Sequence, residues 1–215
     1  MNFFSYDSRF SQILLKLCYS CYLNLLWLIC SLPIFTIGAS TTALYYTCLK
    51  IIRDTEGNIT QTFFRSFKEN FRQSAIIWMI MLGLGLFLTA DFYIIYYLRQ
   101  SANTSMAVFW TILTAVLIAV TIIYLIVLFM IFPLQASVIN TTANMFKNAF
   151  LIGTHYLFAP ILVFAVHFLM FFLVVSVFTP LIVFGEGFCA LISSYILNNL
   201  LILVTTPKET EEEEN

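Results

Sequence analysis

Residues 106–132 read MAVFWTILTAVLIAVTIIYLIVLFMIF, a run without one charged side chain, in which Thr111, Thr114, Thr121 and Tyr124 carry the only hydroxyl groups. A surface helix of a soluble protein would show a polar stripe every three to four residues, and this run has none. It also exceeds the roughly 20 residues that a helix needs to cross the hydrocarbon core of a bilayer. The rest of the chain agrees: 61% of its 215 residues are apolar and 10% are charged. That balance excludes an ordinary soluble globular domain.

Four further apolar runs flank the first, at residues 17–37, 75–98, 157–184 and 188–204. The expectation is an all-α, polytopic membrane bundle of about five transmembrane helices, with amphipathic cytoplasmic loop helices between them. Residues 1–204 would form one transmembrane domain and residues 205–215, rich in glutamate, an acidic disordered tail. The run 157–184 contains Pro160 and Pro180 and is expected to kink. Gly185-Glu186-Gly187 reads as a tight outer turn. Asp7 and Ser8 read as the N-cap of a retained first helix, since no small-x-small cleavage site follows it.

Basic residues set the expected orientation, because cytoplasmic loops retain Lys and Arg. Lys50, Arg53, Arg65, Lys68, Arg72, Lys147 and Lys208 fall on one side of a five-span chain, and Arg9, Lys16 and Arg99 on the other. This places the N-terminus outside and the C-terminus in the cytoplasm. The two cytoplasmic connections resemble each other: each has a proline (Pro33, Pro133), a small-plus-hydroxyl pair (Ala39-Ser40, Ala136-Ser137) and a Phe-Lys-x-x-Phe sequence (67–71, 146–150). Two readings stay open, a parallel repeat of two helical hairpins and the tendency of any inner boundary to collect Phe and Lys.

Between the first two spans, residues 31–44 read SLPIFTIGASTTAL. Pro33 and Gly38 suit a corner at the end of the first span, and Ser40, Thr41 or Thr42 would cap an amphipathic helix running to about Arg53. The functional alternative is a hydroxyl-lined site at a broken helix. Further on, QTFFRSFKENFRQ (61–73) places Phe64, Phe67 and Phe71 on one helical face and Arg65, Lys68 and Arg72 on another. That pattern fits a membrane-interface helix with its rings in the acyl boundary and its bases toward phosphate. The competing reading packs the same rings beneath the bundle.

Ionisable and amide side chains within the spans are candidates for a polar pathway, because charge in hydrocarbon is costly. Asp91 leads, with Asn24 at comparable depth; His167 lies several ångströms away in the expected geometry. The structural alternative is Asp91 hydrogen-bonded to Asn24 or Tyr93 to fix packing. The cysteines at 18, 21, 30, 48 and 189 include a single C-x-x-C pair, which is short of a zinc site, so no metal and no cofactor are expected. No HExxH, GxSxG or Walker sequence is present, and the few bases do not form a nucleic-acid surface.

The stretch NLLWLICSLPIFTIGASTTALYYTCLKIIRDTEG (24–57), followed by FFRSFKENFRQSAIIW and then TAD, resembles the YesL-like family of small bacterial membrane proteins. The resemblance is sharpest from Asn24 to Asp91. It implies a multi-pass protein of the bacterial inner membrane that accompanies carbohydrate uptake and utilisation, and it brings no catalytic residues. The leading expectation is therefore a non-enzymatic accessory or assembly component, with the bilayer, a sugar permease or a second copy as partner. A small transporter or channel through Asp91 is the alternative, and an intramembrane enzyme the third class.

Overall fold

The computed structural model describes residues 9–100 and 106–205, all of the regular structure in them being helical. The expected cap at Asp7 and Ser8 and nearly all of the acidic tail lie outside these residues. Seven α-helices follow in order: α1 (Arg9–Cys30), α2 (Ile37–Ile52), α3 (Ile59–Gln100), α4 (Ala107–Gln135), α5 (Thr142–His155), α6 (Phe158–Ser176) and α7 (Gly185–Thr205). Five of them, α1, α3, α4, α6 and α7, are long and apolar enough to cross a membrane. The protein is a polytopic helical bundle.

At its centre lies α2, which the sequence assigns to the cytoplasmic surface. Twelve of its 16 residues are buried, including Gly38 through Tyr45 without interruption. It packs against α1, α3, α4 and α7. Ser40, Thr41 and Thr42 stand inside this helix rather than at its cap; the N-cap is Thr36, with no side-chain capping bond. Their burial is tolerated because the hydroxyls are satisfied. Ser40 donates to the carbonyl of Thr36 (3.1 Å), Thr42 to that of Gly38 (3.0 Å) and Thr47 to that of Ala43 (2.8 Å). Thr41 accepts from the indole nitrogen of Trp27 at 3.1 Å, tying α2 to α1. An amphipathic reading of α2 fails because short side chains that bond their own helix count as apolar for packing.

The corner before α2 is real but differently built. α1 stops at Cys30, so Pro33 follows the helix instead of lying inside it. A 3-10 turn, Ile34–Thr36, comes next, and the Thr36 hydroxyl lies 2.6 Å from the carbonyls of both Cys30 and Pro33. Gly38 does not release the chain from a helix; it lets three helices approach. A Cβ there would stand 2.5 Å from the Ser74 carbonyl oxygen, 2.6 Å from Trp78 Cβ and 3.2 Å from the Phe132 ring.

Paired contacts fix the chain directions. Trp27 faces Thr41, and Lys16 pairs with Asp54 at 2.8 Å, so α1 runs antiparallel to α2. Arg65 meets Tyr46, Ser74 meets Thr42, and Trp78 meets Ile34, so α3 is antiparallel to α2 as well. The first and second spans consequently run in the same direction with α2 as the return between them. This corrects the expected hairpin of spans one and two. It also corrects the placement of the N-terminal segment opposite the Arg53–Arg72 loop, since Lys16 and Asp54 cannot be on opposite faces of a bilayer and in contact.

α3 has 42 residues, about 63 Å at 1.5 Å per residue and twice the hydrocarbon thickness. The segment 61–73 is therefore the first part of the second span's own helix, and it runs alongside its neighbours: the Thr60 hydroxyl meets that of Tyr22, midway along α1, at 2.8 Å. Phe63 is fully buried, and Phe63, Phe67 and Phe71 form a ring series with centroids 6.4 and 5.5 Å apart. Phe71 meets Phe35 edge-on at 6.5 Å. Of the four phenylalanines only Phe64 is exposed, so this face packs largely on protein, while Arg65, Lys68 and Arg72 point outward.

The second loop folds unlike the first. Pro133 lies inside α4, and Phe146 and Phe150 belong to the separate 14-residue α5, whose N-cap Thr141 accepts from the amide of Asn144. The fourth apolar run is broken rather than kinked: α6 ends at Ser176, and Pro180 lies in a 3-10 turn, Thr179–Val183. Gly185-Glu186-Gly187 opens α7 instead of forming a turn.

Gly38→Leu should destabilise the protein by about 1–3 kcal/mol, the usual cost of overpacking. Gly83→Ala, where a Cβ meets nothing within 4 Å, should be neutral or slightly stabilising. Thermal unfolding in detergent distinguishes the two, and equal melting temperatures would contradict the packing assigned to Gly38.

Candidate functional site in the bundle interior

The polar interior is organised around the start of α7. Asn24, 1% exposed on α1, donates from its amide nitrogen to the carbonyls of Ile182 (3.0 Å) and Val183 (2.8 Å) and accepts at Oδ1 from the Gly187 amide at 3.0 Å. One side chain thus holds the 3-10 turn and one of the amide groups that every helix start leaves without an internal partner. Gly187 is required by closeness: an added Cβ would collide with the Ser20 carbonyl and lie 2.8 Å from Asn24 Cβ.

The next residue group is an ion pair. His167 is the middle residue of the 19-residue α6, and its Nε2 lies 3.3 Å from Glu186 Oε1. The chain between them leaves the end of α6 and returns, so that α7 begins halfway along its neighbour. Nδ1 of His167 is 2.7 Å from the carbonyl oxygen of Val163. A carbonyl can only accept, so Nδ1 carries a proton. One further proton is therefore shared between Nε2 and Glu186: the pair is either imidazolium with carboxylate or neutral imidazole with carboxylic acid. Both forms are neutral overall, which limits the cost of placing two ionisable groups at this depth. Phe129 packs on the imidazole with centroids 5.4 Å apart.

Beside the pair is a cavity of about 300 Å³, with walls from six helices, α1, α2, α3, α4, α6 and α7: Trp27, Ile37, Thr41, Tyr45, Trp78, Leu128, Phe129, Phe132, Pro133, His167 and Glu186. Both indole N–H groups at its wall are already used, that of Trp27 on Thr41 and that of Trp78 on the Ile34 carbonyl at 2.8 Å.

Asp91 is not part of this site. It is half-buried on α3 and makes no side-chain hydrogen bond or ion pair with a described residue. Its neighbour Phe92 joins the small cluster of Leu88, Ile95 and Leu117. The pairing of Asp91 with Asn24 is corrected, since all three polar bonds of Asn24 go to the start of α7. Thus Asn24 and His167 come together and Asp91 stays apart. Glu186 is the residue that sequence reasoning passed over, because flanking glycines made it look like a turn. The missed signal was a carboxylate at the junction of two apolar runs that lack another turn-former. The five cysteines are free, and among the described residues no three His, Cys, Asp or Glu side chains gather as metal ligands.

Residues 21–92 match the family described as "Protein of unknown function, DUF624". The matched segment contains Asn24, Trp27, Thr41, Tyr45 and Trp78 from the site, while His167 and Glu186 lie beyond it. No curated protein and no solved structure matches the chain.

Asn24→Leu would leave two carbonyls and one amide without their partner. At about 1–3 kcal/mol per buried unpaired group, a clear fall in melting temperature is expected, with faster amide exchange at residues 185–190 than in α4. Unchanged exchange there would contradict the anchoring role.

Proposed function

We propose that this chain is a YesL-like, multi-pass protein of the bacterial cytoplasmic membrane that acts as a non-enzymatic accessory or assembly component of carbohydrate uptake. The observation that carries the reading is α3. Its first part is a rigid arm of this 42-residue helix, seated on α2 through the buried Phe63, and it presents Arg65, Lys68, Glu69 and Arg72 outward. Such an arm suits docking to a permease or to the lipid phosphates around one. The sequence resemblance supports the carbohydrate context.

Lys16, Lys50, Arg53 and Arg65 gather at the Asp54 end of α2, where Lys16 pairs with Asp54, Arg53 with Asn198 and Arg65 with Tyr46, and Arg99 stands at the far end of α3, which supports a cytoplasmic location for that end. Both termini then face the cytoplasm. Reporter fusions at the N-terminus, after Arg53 and after Thr206 should read cytoplasm and one after Ala102 exterior; an exterior N-terminus would overturn the orientation.

A second reading, passage of a small solute, is favoured by the interior cavity, with Glu186 rather than Asp91 as the interior carboxylate. Isolation from native membranes in mild detergent separates the two. The accessory reading expects a co-purifying permease that is lost when Arg65, Lys68 and Arg72 are all changed to Gln, at an unchanged melting temperature. A protein that purifies alone, and whose deletion leaves growth on every sugar unaffected, would contradict it.

A further inference from the structure

We propose that the cavity beside His167 and Glu186 is a binding site for a small hydrophobic organic cation, taken up in exchange for the proton that the pair shares. The walls decide the ligand class by what they leave free. The indole N–H groups of Trp27 and Trp78 are committed to protein acceptors, and Thr41 already accepts from Trp27. A sugar needs many donors and acceptors, and an anion needs a donor set without a carboxylate beside it; the hydroxyls of Thr41 and Tyr45 next to Glu186 supply neither. What the cavity does offer is aromatic surface, from Trp27, Tyr45, Trp78 and Phe129, and one carboxylate. Ring faces attract cations, most strongly where water is excluded. Its volume of about 300 Å³ lies at the small end of ligand cavities.

The charge balance is closed. In the free protein His167 and Glu186 together hold one proton between Nε2 and Oε1, and the Glu186 charge is neutralised. When a cation enters beside the carboxylate, the bond from that proton to Nε2, or to Oε1 in the other form, breaks and the proton leaves to water. His167 remains neutral with its Nδ1 proton on the Val163 carbonyl, and the cation replaces the lost charge. The net charge of the site is the same before and after, as a low-dielectric interior requires. The other titratable groups that face Glu186 are Tyr45 and Cys48 of α2 and Cys189 of α7. The wall residues from α1, α3 and α4 carry no titratable group.

This site stands whether the protein moves the ligand or is regulated by it, and the test reads binding alone, so its failure leaves the accessory reading intact. The probe is benzyltrimethylammonium, whose charge is permanent, added to the purified protein in detergent. Binding is followed by tryptophan fluorescence, and proton release by an indicator dye in weak buffer. The expected result is saturable binding with one proton released per ligand, and an affinity that rises up to about tenfold per pH unit while the pair still holds its proton. Glu186→Gln should weaken binding at least about tenfold, as loss of a desolvated charge partner does, and Asp91→Asn should leave it unchanged. His167→Gln, which serves if Glu186→Gln does not fold, should still bind the cation, with the proton now given up by the Glu186 carboxyl alone. The proposal is overturned by wild-type affinity in a folded Glu186→Gln protein, by cation binding to the wild-type protein without proton release, by loss of binding in Asp91→Asn, or by a wild-type protein that binds glucose and not the cation.

Discussion

Everything in this bundle depends on the close seating of α2, and that seating depends on hydroxyl groups bonding back to their own helix. Ser40, Thr42 and Thr47 each reach the carbonyl four residues before them, so a helix rich in polar side chains presents a small and satisfied surface on every side. Without these bonds, burial of each hydroxyl would cost about 1–3 kcal/mol. Small side chains then let backbones approach, most closely at Gly38, where α2, α3 and α4 meet. Lipid offers little hydrophobic drive for helices to associate, so such contact is a principal source of cohesion.

Because α2 fills the centre, α1 and α3 run in the same direction on either side of it, and α7 can enter only partway along the bundle. Its start brings unpaired amides and a carboxylate into the interior. Asn24 takes the amide of Gly187 and His167 takes the charge of Glu186. The negative side chain also suits the positive end of the helix dipole. The cavity follows from this arrangement: a helix that begins in the middle leaves room above its first turn, and aromatic side chains from α1, α2, α3 and α4 surround that room. Geometry that serves packing and geometry that exposes a carboxylate to a cavity are here the same geometry.

The class of the protein was legible from composition, and each of the five long apolar helices from its run, because hydropathy reports the solvent around a helix directly. What periodicity could not show was the solvent of a helix inside protein. Thr41 to Arg53 has an apolar face and hydroxyls elsewhere, as an interfacial helix would, and only the i−4 bonds reveal that both faces are packed. The phenylalanines of 61–73 were placed on one face correctly, while their partner proved to be mainly protein. Asp91 was chosen because it is a lone carboxylate in a long run. Glu186 was passed over because glycines on both sides signal a turn, yet Gly187 is there to let α7 approach Ser20 and Asn24. His167 and Asn24 were singled out as interior polar groups, but their common neighbour could not be found without the chain reversal after Ser176.

The burial of α2 is tested most directly at Cys48, a natural thiol that is fully buried on that helix, against Cys18, which is exposed on α1. Two variants each keep only one of these cysteines, with the others replaced by alanine, and are treated in native membranes with a membrane-permeable maleimide. Cys18, close to the Lys16–Asp54 end of α1, should label faster than Cys48, and Cys48 should stay unlabelled until the protein is unfolded in dodecyl sulfate. Labelling of Cys48 in the folded protein at a rate close to that of Cys18 would place α2 at the membrane surface and contradict the account.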